Sequence, residues 1–529
     1  MKKKILALTL TTLLLAGVLA PVGSAAGYPQ ELPGTDKTGI LDQIIISAFF
    51  PPTRKDMGWG PMTYPGHENF DSEQNEYHYR MMAECGVNFV ENVSSAGMTT
   101  RAENLYLAEL CAKNGMWLLV DEMNEYWSAH TNEGHPLPWF YLMDLPQPEL
   151  EDHVNFWKDV PGVGGFFLAD EPPEDGVYSM ANYGALTAKM KQLAPDLMMH
   201  VSFRPNRSSD DAGRIRDHVN AAIAGGFKPD HIGDCEYPFQ KGVNGGIKGT
   251  WYKYLEKYRV IGNELGVKTS RYLQLAAHWS GPDDGNDVLE KNQIRYELYS
   301  GLAYGVKKFG IFSWQRPPVS QGAHWAGSVV DYDGNYTPMY DHLKELFGQV
   351  HALSDVIFPL EARSIYSTAT KYSEVLGFLP WPATSKPPRT FLAQPGDKHD
   401  MLYSYMVNPA DGTRYLMAVN NATQSNAGPI THTINFKNAA GLEIAGLTEV
   451  SHEDGGYMAP VDLRSAHAAA FTFDVGEGRL FRLDYGGEPG DPGTVDNPGW
   501  PDWLWRVVTA VPALGGLLSW FLKLSWFLK

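Results

Sequence analysis

From Gly39 to about Leu353 the chain repeats one pattern eight times: a short apolar segment, then a longer stretch with helical spacing. The apolar segments are IIISAFF (Ile44 to Phe50), VNFVENV (Val87 to Val93), WLLVDEM (Trp117 to Met123) and GGFFLAD (Gly164 to Asp170). They continue with LMMHVSF (Leu197 to Phe203), HIGDCEY (His231 to Tyr237), SRYLQLAA (Ser270 to Ala277) and FGIFSW (Phe309 to Trp314). Between them lie amphipathic runs such as NYGALTAKMKQLA (Asn182 to Ala194) and KNQIRYELYSGLAYG (Lys291 to Gly305). Strand-then-helix units in series demand a parallel sheet with helical crossovers. Eight of them predict a closed (β/α)8 barrel; an open doubly wound sheet is the alternative, but no glycine-rich phosphate loop follows the first segment.

After about Asp355 the period changes to two. YSYMVN, TRYLMAVNN, THTINF, AAAFTFDV and GRLFRLDY alternate apolar and polar residues between Gly, Asn, Asp and Pro, which predicts an antiparallel β-sandwich. The expected fold class is therefore α/β, a TIM barrel over residues 39–354 followed by a C-terminal sandwich over 355–485. GGEPGDPGTVDNPGWP (Gly486 to Pro501) has linker composition. The first 26 residues, with Lys2, Lys3 and Lys4 before an apolar run and Ser24-Ala25-Ala26 after it, predict a secretory signal peptide and export. Residues 502–529 form a Trp-rich hydrophobic tail, interrupted by Pro512 and Gly515-Gly516 and shorter between charges than a spanning helix of roughly 20 residues. Trp503, Trp505, Trp520 and Trp526 with Arg506, Lys523 and Lys529 suit association with a membrane surface or cell wall.

The formal charge of -18 argues against nucleic acid as a partner, because phosphate demands basic patches. Three cysteines, Cys85, Cys111 and Cys235, are too few and odd in number for a disulfide framework; buried thiols are expected, with a Cys85–Cys111 bridge as the open alternative. No Cys/His spacing suggests zinc, and no cofactor is expected.

Barrel chemistry gathers at the C-terminal ends of the strands. There this sequence offers Glu91, Asn92, Asp121, Glu122, Glu125, Asp170, Glu171, His200, Ser202 and Arg204 on the first five segments. The rest contribute Asp234, Glu236, Tyr237, Gln274, His278, Trp279, Trp314, Gln315 and Arg316. Carboxylates, amides and aromatic rings suit a carbohydrate: rings stack on the apolar face of a sugar and polar groups bind its hydroxylated rim. Glycoside cleavage needs a protonated carboxyl to release the leaving oxygen and an ionised one as nucleophile or base. In FFLADEPPED (Phe166 to Asp175), Pro172 and Pro173 cannot continue a ladder, so the strand stops with Asp170 and Glu171 at the rim. Glu171 is the candidate acid/base, and Asp170 could orient a substrate hydroxyl or tune its neighbour. Capping of a following helix is the plainer role for both.

LADEP on the fourth segment, SW on the eighth and the ending FTFDVGEGRLFRLDY together resemble clan-A-type glycoside hydrolases. In that family an Asn-Glu-Pro motif supplies the acid/base and a tryptophan closing the eighth strand forms a sugar platform. The resemblance implies an O-glycosyl hydrolase of β-linked oligo- or polysaccharides, with Glu171 as acid/base, Asp170 in place of the asparagine and Trp314 as platform. It also implies a nucleophile at the end of the seventh strand, where this chain has Gln274. Glu236 is the first substitute, a salt-bridged structural role being equally open for it; Glu122 and Glu125 come next. A separation of about 5 Å between the two carboxyls would mean retention and roughly 6.5–9.5 Å inversion. Two rival readings stand beside this one. Asp170-Glu171 resembles the acid pair of substrate-assisted N-acetylhexosaminidases, and a non-catalytic surface carbohydrate-binding protein would keep the aromatics without needing the acids.

Overall fold

The computed structural model describes residues 36–55, 60–63, 65–66, 68–93, 98–123, 141–172, 176–204, 211–239, 249–279, 288–317, 324–368, 379–380, 399–423, 427–436 and 444–485. The signal segment, Glu125, the linker and the Trp-rich tail lie outside them.

Eight parallel strands form the first body: β1 (Ile45–Phe49), β2 (Phe89–Glu91), β3 (Trp117–Val120), β4 (Val163–Asp170), β5 (Met198–Ser202), β6 (His231–Asp234), β7 (Lys268–Gln274) and, after a short β8 (Ala276–Trp279), β9 (Val306–Phe312). Their lateral order is β5-β4-β3-β2-β1-β9-β7-β6. A parallel bridge between Phe203 and Asp234 joins the two ends, with Phe203 N–H donating to the Gly233 carbonyl at 3.1 Å. The sheet is thus a closed barrel.

Helices fill the crossovers: α1 (Ser72–Glu84), α2 (Arg101–Lys113), α3 (Gln147–Trp157), α4 (Met180–Leu193), α5 (Asp211–Ala224), α6 (Gly249–Leu265), α7 (Lys291–Ala303) and α8 (Met339–Ile357). Their starts are written in the sequence. Asp71 and Ser179 cap α1 and α4, and Thr100 with Glu103 makes a reciprocal capping box on α2. Among the described residues no helix is long and apolar enough to cross a membrane.

The second body is an antiparallel β-sandwich. Its larger sheet contains β11 (Glu361–Ser367), β13 (Met401–Val407), β14 (Arg414–Asn420), β19 (Gly478–Tyr485) and β16 (Ile444–Val450), edged by two-residue strands β12 (Leu379–Pro380) and β17 (Val461–Asp462). The smaller sheet pairs β15 (Ile430–Asn435) with β18 (Ala468–Phe473). Alternation on β14 explains the layering. Leu416 and Ala418 face the sandwich interior with Ile434, Phe473 and Phe481, while Met417 and Val419 join the apolar core of the barrel's helical shell. Contact there is close: a Cβ on Gly478 would lie 2.6 Å from the Tyr299 ring. Arg295 on α7 adds bonds to the Val475 carbonyl (2.8 Å) and Asp474 (3.0 Å).

Cys85 and Cys111 are free thiols buried behind the barrel, so the alternative of a bridge between them is not realised. Cys235 is half-buried, not buried as expected from sequence, because it lies just past the end of β6.

Candidate active site

The fourth strand places the acid pair by two backbone irregularities. Within β4 the pairing with β5 slips between Phe167 and Ala169. One extra residue reverses the in/out parity of the rest of the strand, so Asp170 returns to the phase of Phe167, which packs inside the barrel. Asp170 pairs with Ser202, and Glu171 N–H donates to the Ser202 carbonyl at 2.9 Å. Glu171 itself has φ of 44°, in the left-handed region that costs an L-residue about 1–2 kcal/mol. The strand is thereby bent away immediately before buried Pro172, leaving both carboxyls at the mouth.

These carboxyls differ in setting. Asp170 is reached by solvent along the mouth but is otherwise ringed by protein, and its pKa is pushed up to about 7. Burial is the largest cause, then the charge of Glu171; Ser202 opposes them, and Glu91 adds a smaller upward push. Glu171 is exposed and accepts a contact from the Cys235 thiol. Burial and the charges of Glu171 and Asp170 push that thiol's pKa well up, so it stays a protonated donor.

A wall of rings stands beside the pair. Tyr237 and Phe312 stack with centroids 5.6 Å apart and planes 27° from parallel. Trp325 meets Phe312 edge-on at 5.6 Å, and Phe50 lies 6.0 Å from it. All four are only partly buried. Tyr237 was expected here; Phe312 and Trp325 were not. Phe312 had a signal, because it continues the inward phase of Lys308 and Gly310 on β9. Trp325 had none: it lies on β10 (His324–Gly327), which pairs with β8 across 45 residues of chain.

Several expected site residues are used elsewhere. Trp314 is fully buried, its backbone N–H bonded to the Phe49 carbonyl and its ring packed edge-on against Tyr336 and Tyr340. It is a core residue and not a platform, because β9 ends two residues earlier and the chain turns inward. Gln274 does end β7 but is fully buried, clamped to Phe239: its amide donates to the Phe239 carbonyl (2.9 Å) and its oxygen accepts from the Phe239 N–H (3.1 Å). Glu236 is 7% exposed and accepts from the Thr250 hydroxyl, tying the end of β6 to α6.

Glu122 lies beyond the end of β3, fully buried between Arg101, His153 and the Trp157 indole N–H. Burial would raise its pKa, but the bonds and charges of His153 and Arg101 outweigh that and hold it at about 2. It fastens α2 and α3 to the barrel wall and is not part of the mouth. Arg204 is exposed just past β5, beside a shallow cleft that Arg214, Tyr254 and Tyr258 also line. Neither Asp170 nor Glu171 is among the residues that line that cleft. The backbone of His278 and Trp279 pairs with Trp325 and His324, and the placement of their side chains lies outside the described residues.

Beneath the mouth a polar network runs through the otherwise apolar barrel interior. Glu91 is fully buried and accepts from the Ser47 hydroxyl (2.5 Å) and Lys308 on one oxygen, and from the Tyr272 hydroxyl (2.5 Å) on the other. His200 Nε2 meets the Tyr272 hydroxyl at 3.0 Å and Lys308 Nζ at 3.4 Å. Gly310 makes room for this layer, since a Cβ there would lie 2.4 Å from the Tyr272 ring. Among the described residues no group of His, Cys, Asp and Glu is arranged to hold a metal ion.

No family model and no curated protein matches the chain. Solved structures do align with it. A glucosidase from Croceicoccus marinus aligns over 87% of this chain and 98% of its own, at 10% identity and a TM-score of 0.38. A family 51 α-L-arabinofuranosidase from Bifidobacterium longum covers 86% and 98%, at 12% identity and 0.40. A family 30 endoxylanase from Clostridium papyrosolvens covers 86% and 98%, at 8% identity and 0.36. Likeness this slight carries no weight for chemistry.

Proposed function

We propose that this chain is a glycoside hydrolase whose proton donor is the Asp170–Glu171 pair. The observation that carries the reading is geometric: the slip in β4 and the left-handed turn at Glu171 set two adjacent carboxyls at the barrel mouth beside a wall of partly exposed rings, and burial with the neighbouring charge pushes the Asp170 pKa up. Burial and the neighbouring Glu171 charge both disfavour ionised Asp170, so Asp170 is the member that holds a proton toward neutrality. That proton passes to the glycosidic oxygen as its bond to the anomeric carbon breaks. The remaining negative charge faces the cationic sugar carbon, and water then supplies hydroxide to that carbon and returns a proton to the pair. Tyr237, Phe312 and Trp325 offer stacking surface for the sugar's apolar face.

One observation favours a second reading of the displacement step. Among the described residues, the two groups best placed by sequence to face Glu171, Gln274 and Glu236, are held by Phe239 and Thr250. A 2-acetamido sugar brings its own nucleophile, the amide oxygen, and would need no opposing carboxylate. Export by the N-terminal segment and surface association by the Trp-rich tail belong to the same proposal.

The test is a panel of aryl glycosides and polysaccharides turned over by wild type, Asp170→Asn and Glu171→Gln. Each variant is expected to lose about 10²–10⁴-fold in kcat, and wild-type activity should fall as pH rises through about 7. Hydrolysis confined to 2-acetamido sugars supports the second reading. Undiminished turnover by both variants, or binding of sugars by a wild type that hydrolyses none, would overturn the proposal.

A further inference from the structure

The segment that leaves β6 is pinned at successive residues. Asp234 turns to the helix side of the sheet and pairs with buried Arg271 of β7, whose guanidinium lies over the Trp251 and Tyr258 rings of α6 at 5.0 and 5.7 Å. The same carboxylate oxygen accepts the Glu236 backbone N–H at 3.2 Å, which closes a turn around Cys235. Farther on, the Glu236 carboxylate takes the Thr250 hydroxyl, the Tyr237 ring stacks on Phe312, and the backbone of Phe239 is clamped by Gln274. With Asp234 turned to the helices, Cys235 turns the other way. It packs against the inner-barrel cluster that holds Phe49, Phe167 and Tyr272.

There the thiol meets Glu171. Its Sγ lies within hydrogen-bond reach of Glu171 Oε1 and 4.0 Å from the Phe203 carbonyl. Among the described residues this thiol is the one donor to the Glu171 carboxyl. Glu171 otherwise stands exposed on three rotatable bonds, at the end of a strand bent away by its own left-handed turn. An untethered glutamate there samples many rotamers, and a displacement of about 1 Å can cost a reaction about 100-fold. The other two thiols are fully buried among apolar residues, whereas Cys235 is half-buried and reaches the mouth. Because its thiol stays protonated, it donates and adds no third negative charge beside the pair.

We propose that Cys235 is a positioning residue for Glu171: the fixed turn after β6 aims its thiol at Oε1, which leaves Oε2 to face the sugar. The role rests on the hydrolase reading, since this carboxylate needs fixing only if it faces a reacting carbon. Sulfur suits the task. An S–H group is a weak donor, so it steers the carboxylate without drawing off the charge that the cationic sugar carbon needs. The pins on Asp234, Glu236, Tyr237 and Phe239 then have a common purpose, because they fix where the thiol sits.

Two measurements keep the role and the reading apart. The infrared S–H band that Cys235→Ala removes reports the contact whether or not the protein turns anything over. Glu171→Ala should move that band to higher frequency, as for a thiol without an acceptor. On aryl glycosides that wild type hydrolyses, Cys235→Ala should lose about 10–100-fold in kcat with KM little changed. Cys235→Ser restores a donor and should recover most of that loss. Cys235→Val, close to cysteine in volume, takes the place of the alanine variant if that one folds poorly. A band that Glu171→Ala leaves in place overturns the contact. Full turnover by Cys235→Ala overturns the positioning role and leaves the hydrolase reading standing. So does a loss that Cys235→Ser fails to recover, which is what a merely structural thiol predicts. A wild type that hydrolyses no glycoside overturns the hydrolase reading and the role together, whatever the band does.

Discussion

Replacing Gln274 by glutamate is the most direct test of how this mouth is built, because it installs the carboxylate that the resemblance places on β7. The wild-type amide both donates to and accepts from the backbone of Phe239, at 2.9 and 3.1 Å, in a fully buried position. A protonated glutamate can reproduce both bonds, with its O–H donating to the carbonyl and its C=O accepting from the N–H. An ionised one cannot: it loses a bond worth about 0.5–1.5 kcal/mol and leaves an uncompensated charge facing a carbonyl oxygen. The combined cost is about 3–5 kcal/mol. The new carboxyl's folded pKa must then lie above its unfolded value near 4.3. For an acid raised in this way the penalty is absent below the unfolded pKa and grows as pH rises toward the folded one. Denaturant unfolding at pH 4 and pH 8 reads this out: Gln274→Glu should match wild type at pH 4 and fall short at pH 8. A variant as stable as wild type at pH 8, or one that hydrolyses faster, would show that this side chain faces the substrate and that the clamp on Phe239 is wrong.

Two further outcomes concern the rings. Trp314→Ala should lose about 3–5 kcal/mol of stability, measured by denaturant melts, because the indole is core, while KM of the folded fraction stays at the wild-type value. Phe312→Ala should do the reverse: stability changes little, and KM for an oligosaccharide rises about tenfold as the stacking face is lost, with kcat less affected.

The barrel was legible because its signal is periodic and local. Each apolar segment matched an observed strand within a few residues, as β4 and β5 illustrate. Asp170 and Glu171 were legible because Pro172 and Pro173 mark where pairing must stop. What hid were parities and partners. Trp314 looked like a platform only while β9 was drawn two residues too long; with the strand ending at Phe312, the ring on the inward phase is Phe312. Glu122 looked like a mouth residue because β3 was extended past Val120, and its true partners, His153 and Trp157, arrive from α3 thirty residues later. The slip within β4 leaves no trace in composition, yet it decides which way Asp170 points. Glu91 stood among the strand-end acids without a role, since nothing in its own segment announces Lys308, more than 200 residues away.

The junction between the two bodies also bears on how the chain can be divided. Met417, Val419 and Leu480 of the sandwich complete the same apolar core as Leu298 and Leu302 of α7 and Leu343 and Phe347 of α8. A chain ending before Glu361 would present that helical face to water as a broad greasy surface, the kind that drives aggregation. The sandwich is thus the outer wall of the barrel body itself, and sequence drift in its larger sheet is answerable to α7, whose Glu297 accepts the backbone N–H of Gln274 at 2.9 Å. A change made on the far side of the molecule has a continuous packed route to the strand that closes the mouth.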